Sequence, residues 1–186
     1  QEDIALEILK DPNVDINLQN KDGYTALSYA IINGYEEIAL QILQNKDIKV
    51  NLYDKNDSTA LMWAIEKDQK DIALKILKDP NMNINHQMQT GKTALMMAIL
   101  KGQTDIALEI LKHKDIDVNV QDKDGNTALI WAIDKGQGDI ALEILQRNDV
   151  NINLQDKDGN TALIYAIAKK QEDIALEILK KENLDI

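Results

Sequence analysis

The chain has 186 residues, 21 Lys plus Arg against 32 Asp plus Glu, a formal charge of −11, and neither Cys nor Phe. Without cysteine it holds no disulfide, thiolate zinc site or cysteine nucleophile, and its single arginine, Arg147, cannot build the clustered cationic surface that nucleic acid requires. An apolar content of 44% beside 28% charged residues is that of a folded chain, and no apolar run approaches the ~20 residues of a membrane span. Gln1-Glu2-Asp3 is acidic where a secretory leader is basic, so a cytoplasmic, intracellular setting without membrane is expected, with delivery into another cell left open.

Along the chain the first apolar string is Ile4 to Leu9, Ile-Ala-Leu-x-Ile-Leu, and it returns from Ile38, Ile72, Ile106, Ile140 and Ile174. Thr-Ala-Leu recurs in step at Thr25, Thr59, Thr93, Thr127 and Thr161, so the chain is an array with a constant period. The expected organisation is one array over residues 1–186. Residues 1–20 form a partial repeat, residues 21–54, 55–88, 89–122 and 123–156 full repeats, and residues 157–186 a last repeat without its hairpin.

Within residues 123–156, Asp124-Gly125 is a turn dipeptide in which glycine supplies a positive φ. Thr127 stands at a helix N-cap ahead of Ala128 to Ile133, and Gly136 is placed to end that helix in the left-handed region. A second helix is expected from about Asp139 to Gln146, with an acid in its first turn and Arg147 at its end, as the helix dipole favours. Val150 to Gln155 alternates apolar and polar residues and reads as extended chain entering a hairpin-like turn. The alanine pairs, such as Ala128 and Ala132, lie on one helix face and let neighbouring helices approach closely. Ile140, Ala141, Leu142, Ile144 and Leu145 cover too wide an arc for one neighbour, so each repeat needs the next.

These residues resemble the ankyrin-repeat family. The resemblance rests on Asp-x-x-Gly-x-Thr-Ala-Leu-x-x-Ala, as in Asp122 to Ala132, on Gly136, on the Ile-Ala-Leu-x-Ile-Leu helix and on Ile152-Asn153 before the next turn, and it spans the whole chain. It implies an all-α fold, an ankyrin-type solenoid of helix-turn-helix units joined by extended hairpin-like loops. The extra residue relative to the family's usual period is read as a longer loop over Arg147 to Val150, and turn-rich chain between repeats argues against tetratricopeptide units. The chain departs from the family's Thr-Pro-Leu-His: alanine replaces proline, and Ser28, Met62, Met96, Ile130 and Ile164 replace histidine.

No string in the chain reads as catalytic chemistry. Gly91-Lys92-Thr93 lacks the earlier glycine of a phosphate loop, since that place holds His86. Asp122 to Asn126 resembles a calcium loop, but its glycine comes too early and Ile133 stands where the chelating glutamate belongs. Asn56-Asp57-Ser58 is a formal glycosylation acceptor that matters only in a secreted chain. His86 and His113 occupy different repeat positions and assemble neither a metal pair nor a triad. The carboxylates, spread over turns and helix starts, read as solvated and capping groups. The asparagines Asn17, Asn51, Asn85, Asn119 and Asn153 read as a structural ladder bonding loop backbone between repeats. No enzyme activity, metal or cofactor is therefore expected.

Comparing the repeats separates positions that stacking demands from positions left free. The free ones are the turn tips (Tyr24, Ser58, Lys92, Asn126, Asn160), residues just before the turns, among them Tyr53, and the outer side of the first helix. On that helix come Tyr29, Trp63, Met97, Trp131 and Tyr165, followed by Glu66, Lys67, Lys101 and Lys135. In the ankyrin family these places form the concave surface that grips proteins, and aromatics interleaved with charge are what interface hot spots use. Trp63 and Trp131 read equally as packing between repeats.

The expected function is a noncatalytic protein-binding module. Two alternatives stand beside it: a targeting domain of a larger enzyme or effector whose chemistry lies outside these residues, and a structural array that self-associates end to end. Ile174 to Leu179 and Ile4 to Leu9 match the interior helices and lack the polar outer face of a cap, which motivates the last reading.

Overall fold

A computed structural model describes residues 4, 7–9, 11 and 13–181. The expected helix over Ile4 to Leu9 lies partly outside these residues. Among them are ten α-helices and no strand, in two compact units, Gln1–Asn83 and Ile84–Ile186. The first unit holds α1 (Ala26–Asn33), α2 (Glu36–Ile42), α3 (Ala60–Glu66) and α4 (Lys70–Ile76). The second holds α5 (Ala94–Leu100), α6 (Thr104–Leu111), α7 (Ala128–Asp134), α8 (Gly138–Leu145), α9 (Ala162–Ala168) and α10 (Glu172–Leu179).

Each odd-numbered helix starts where the threonine places it. Thr25, Thr59, Thr93, Thr127 and Thr161 sit in extended backbone, and each hydroxyl accepts from the N–H three residues on. In α1 the cap is reciprocal, because Ser28 Oγ also accepts from Thr25 N at 2.8 Å. The even-numbered helices have no side-chain cap bond. Acids in their first turns, such as Glu36, Asp71 and Asp139, answer the helix dipole instead. Arg147 falls just beyond the end of α8: its guanidinium grips Asp149 at 2.7 Å and turns toward the carbonyls of Leu111 and Ile116.

In each unit the helices pack in two rows. α1 lies on α3 and α2 on α4 in the first; α5, α7 and α9 form one row of the second, and α6, α8 and α10 the other. Small residues permit this, since Ala60, Ala64, Ala94, Ala98, Ala128 and Ala132 are all buried. Ala26 is exposed, and no Thr-Ala-Leu helix precedes it in the sequence. Ile140, Ala141, Ile144 and Leu145 are buried as expected, while Leu142 is half-buried.

The loops are joined by side-chain amides where strands would use a backbone ladder. In the second unit Asn119 Nδ2 donates to Asp149 O, and Asn119 Oδ1 accepts from Asn151 N, both at 2.7 Å. Asn85 bonds Asp115 and Asp117 in the same way. In the first unit Asn17 bonds Asp47 and Lys49, and Asn51 bonds Asn81 and Asn83. A glutamine row runs beside it: Gln121 Nε2 donates to Gly125 O at 2.6 Å and to Gln155 O at 2.9 Å. Tyr53 takes that glutamine's place in the first unit, and there the loop closes with a single antiparallel bridge between Tyr53 and Thr59.

Gly136 has φ 68°, as its helix-ending place requires. Where glycine is missing, the backbone holds its course: Asp57 has φ 58°, Asp68 φ 56°, and Lys170, which sequence reading passes over, φ 59°. Each such residue costs roughly 1 kcal/mol. Hydrogen exchange is accordingly expected to be faster over residues 54–70 than over the matching part of residues 123–156, and equal protection in a mass-spectrometric time course would refute this.

Candidate functional site

The variable positions gather on the turn tips and the odd-numbered helices. What orders them is a carboxylate that caps its turn, as expected of the acids at these places, but is not solvated. Asp54, Asp122 and Asp156, just before the turns, are buried. Each closes its own turn, as when Asp122 Oδ1 accepts from Asp124 N at 2.9 Å and from Asn126 N at 3.0 Å. The second oxygen reaches nine residues on. Asp54 Oδ2 accepts the Trp63 indole N–H at 2.9 Å, Asp122 Oδ2 that of Trp131 at 2.9 Å, and Asp156 Oδ2 the Tyr165 hydroxyl at 2.8 Å.

The signal was in the sequence. Acid and aromatic occur together at this spacing in three repeats, and in the third repeat both are lost together, as Met88 and Met97. Trp63 and Trp131 thus carry a structural bond while their rings stay half-buried, so the two sequence readings are not exclusive.

In the first unit the site residues make an aromatic group. Tyr24 meets Tyr29 edge-on at 5.6 Å and Trp63 at 6.1 Å, and Tyr29 is 52% exposed. Tyr53, Glu66 and Lys67 are exposed as well. Burial, and secondarily the charges of Asp54 and Asp22, push the Tyr24 hydroxyl above its ordinary pKa.

In the second unit Lys92 stands where the first has Tyr24, while Trp131 and Tyr165 keep the aromatic place of Tyr29. Lys92 and Lys135 stand over the Trp131 ring, their Nζ atoms 5.4 and 5.3 Å from its centroid. Lys92 also lies 3.6 Å from Asp122, and Asp134 is held between Lys135 at 2.9 Å and Lys169 at 2.7 Å. Lys101 is exposed, Asn126 and Asn160 are half-buried in their turns, and Met97 is buried, with 8% exposure.

Hydrogen bonding to Lys169, opposed by burial and reinforced by Lys135, holds the Asp134 carboxyl below its ordinary 3.8. For Asp156 burial acts upward but is outweighed by the Asn160 amide and the Tyr165 hydroxyl, so this carboxyl too is lowered. The same bond pushes Tyr165 up to about 12. A carboxyl lowered by folding contributes stability that is complete above the unfolded value of 3.8 and is lost as pH falls through the folded value. Tyr165→Phe removes one source of the shift. Thermal melts between about pH 5 and about pH 3 should therefore show a shallower acid decline for the variant than for the parent chain; parallel declines would refute the contribution of this bond.

Among the described residues no group of acids and histidines could hold a metal ion, and no helix is long and apolar enough to cross a membrane. Two clefts of about 300 and 320 Å³ lie in the first unit, one at Asp15, Asn17 and Asp47 and the other at Val50, Asn51 and Asp79, away from the site positions.

The family description "Ankyrin repeats (3 copies)" matches residues 1–88, 74–156 and 114–186. The fold is similar to the crystal structure of the ankyrin repeat protein EF0377, with TM-score 0.81 and 25% identity over 98% of this chain and 93% of that one. It is similar also to an ankyrin repeat domain from Acinetobacter baumannii AYE, with TM-score 0.82 and 24% identity over 96% and 91% of the two chains. No curated protein sequence matches the chain. Ankyrin arrays are generally noncatalytic scaffolds for protein interaction, and with helices, caps and loop ladders all repeating in register, the chain belongs to the ankyrin-repeat family.

Proposed function

We propose that the chain is a noncatalytic protein-binding module whose partner seats on the turn tips and odd-numbered helices, the surface that is concave in ankyrin arrays. The supporting observation is the division of labour between positions. Residues that repeat within the stack, such as Ala132, Ile133, Ile140 and Ile144, are buried, whereas the positions of Tyr24, Tyr29, Tyr53 and Glu66, which vary from repeat to repeat, keep solvent-facing surface, as does the lysine that recurs at Lys67, Lys101 and Lys135. Large aromatics in the first unit and lysines around Trp131 in the second are the residue types that anchor interfaces. The site positions line neither of the two clefts of the first unit.

The test is capture of partners from a cell lysate by the parent chain and by a Tyr29→Ser, Lys135→Glu variant. Both positions are exposed, so the variant should melt within a few degrees of the parent. Loss of the captured protein supports the surface; undiminished capture removes it.

A second reading has its own observation. On the last repeat Ile164, Ile167, Leu176 and Leu179 are 47–63% exposed, whereas the matching Ile130, Ile133 and Leu145 are buried beneath the repeat that follows. Copies stacking end to end would cover this face. Sedimentation should then show concentration-dependent association that Ile167→Lys abolishes, and a monomer at every concentration would overturn the reading.

A further inference from the structure

We infer that the odd-helix face of the second unit docks an acidic, extended protein segment around Trp131, which specifies the partner chemistry of the binding reading above and rests on it. The first observation is the state of the charges on that face. Lys92, Lys135 and Lys169 bring three ammonium groups to its surface. Of the carboxylates beside them, Asp122 has no exposed side-chain surface, and it already serves two backbone N–H groups and the Trp131 indole. Asp134 is divided between Lys135 and Lys169 with 21% of its side chain exposed. The three ammonium groups thus share two carboxylates, one buried and one 21% exposed, with Asp158 exposed on the neighbouring turn, and the Lys135 and Lys169 side chains are themselves 41% and 44% exposed.

The second observation is the opposite sign on the other row of helices. There α6 carries Asp105 and Glu109, α8 Asp139 and Glu143, and α10 Glu172 and Glu177. The chain as a whole, at −11, repels an acidic polymer. An acidic segment that binds must therefore select a surface where exposed lysines stand beside covered carboxylates.

The third observation is the Trp131 ring, pinned through its N–H and flanked by two lysines at cation–π distance. A carboxylate approaching either lysine comes to lie against the ring, and the half-exposed indole offers an apolar floor to the aliphatic part of the same side chain. Charge complementarity then sets the choice of partner and the register, and the indole supplies contact area.

The probe is poly-L-glutamate, added at low salt to the full chain carrying Trp63→Phe, so that Trp131 is the sole emitting indole. A saturable change in its fluorescence is expected, with an affinity that falls as salt screens the lysines. Lys135→Glu with Lys169→Glu should weaken binding about tenfold, and the milder Lys135→Gln with Lys169→Gln about threefold, which covers the case in which charge reversal beside Asp134 unfolds the repeat. Lys112→Glu with Lys180→Glu, on the even-helix side, should leave binding unchanged. Absence of saturable binding, or equal weakening by the even-helix pair, overturns the inference. If poly-L-lysine perturbs Trp131 and poly-L-glutamate does not, the acidic assignment fails while the partner-binding surface stands. If lysate capture survives Tyr29→Ser with Lys135→Glu, the broader reading fails by itself.

Discussion

Gly125→Ala should lower the unfolding free energy by about 3 kcal/mol, whereas Gly136→Ala, in the same repeat, should cost about 1 kcal/mol. Both glycines have positive φ, 82° and 68°, so alanine pays the left-handed penalty at each. They differ in what a methyl group would meet. At Gly125 it would come within 2.8 Å of Asp156 Cα and 3.0 Å of Asp156 C, while at Gly136 nothing lies within 4 Å. The obstacle at Gly125 is backbone, held by the bond from Lys157 N to Asp124 O at 2.9 Å, and it cannot rotate aside as a side chain could. Urea denaturation of the two variants gives the comparison directly. Equal losses would mean that the Asp156 loop yields and that only the dihedral penalty counts.

The chain nevertheless loses glycine at both kinds of position, since Asp57 stands at the turn-glycine place with φ 58°. Asp68 and Lys170 replace the helix-ending glycine, at a position where neighbouring space is open in Gly34, Gly102 and Gly136. The sequence treats the two glycine positions alike; only the path of the next loop separates them.

Asp122→Ala is expected to remove about 4 kcal/mol, because it leaves the N–H groups of Asp124 and Asn126 and the Trp131 indole without their buried acceptor. Trp131→Phe removes the indole donor together with the five-membered ring of a half-buried side chain, so about 2 kcal/mol is expected. A double-mutant cycle between the two isolates their bond, with a coupling of about 1 kcal/mol. Zero coupling would mean that the indole finds another acceptor when Asp122 is absent and that Trp131 is held by packing alone. The same cycle read by partner capture separates the two roles of this residue: a variant that folds and loses its partner marks an anchor, and one that merely melts earlier marks a strut.

Much of this was legible before any coordinates. The threonine caps, the helix-ending glycine and the asparagine ladder follow from residues recurring at one spacing, because their bonds are either local or made to the same place one repeat away. The capping role of the aspartates was legible, but their burial was not, because it depends on what covers a carboxylate, and the residue bonded to it lies on the next helix. Arg147 follows the end of α8 as expected, but its side-chain partners were not legible, because beside Asp149 they are the carbonyls of Leu111, at the end of α6, and of Ile116 in the loop after it. The lysines around Trp131 were invisible to net charge, since −11 is a sum over the whole chain and says nothing of which charges lie beside one ring.

The amide ladders also bear on how such a chain changes in length. Asn85 reaches Asp115 and Asp117, and Asn119 reaches Asp149 and Asn151, so each side chain spans one repeat and no further. Excising or duplicating a whole repeat presents each asparagine of this ladder with a neighbour of the same kind, whereas the Asp122–Trp131 pair has to be matched anew, because its acid and aromatic lie on either side of a repeat boundary. The ladder therefore leaves array length open to recombination between near-identical gene segments.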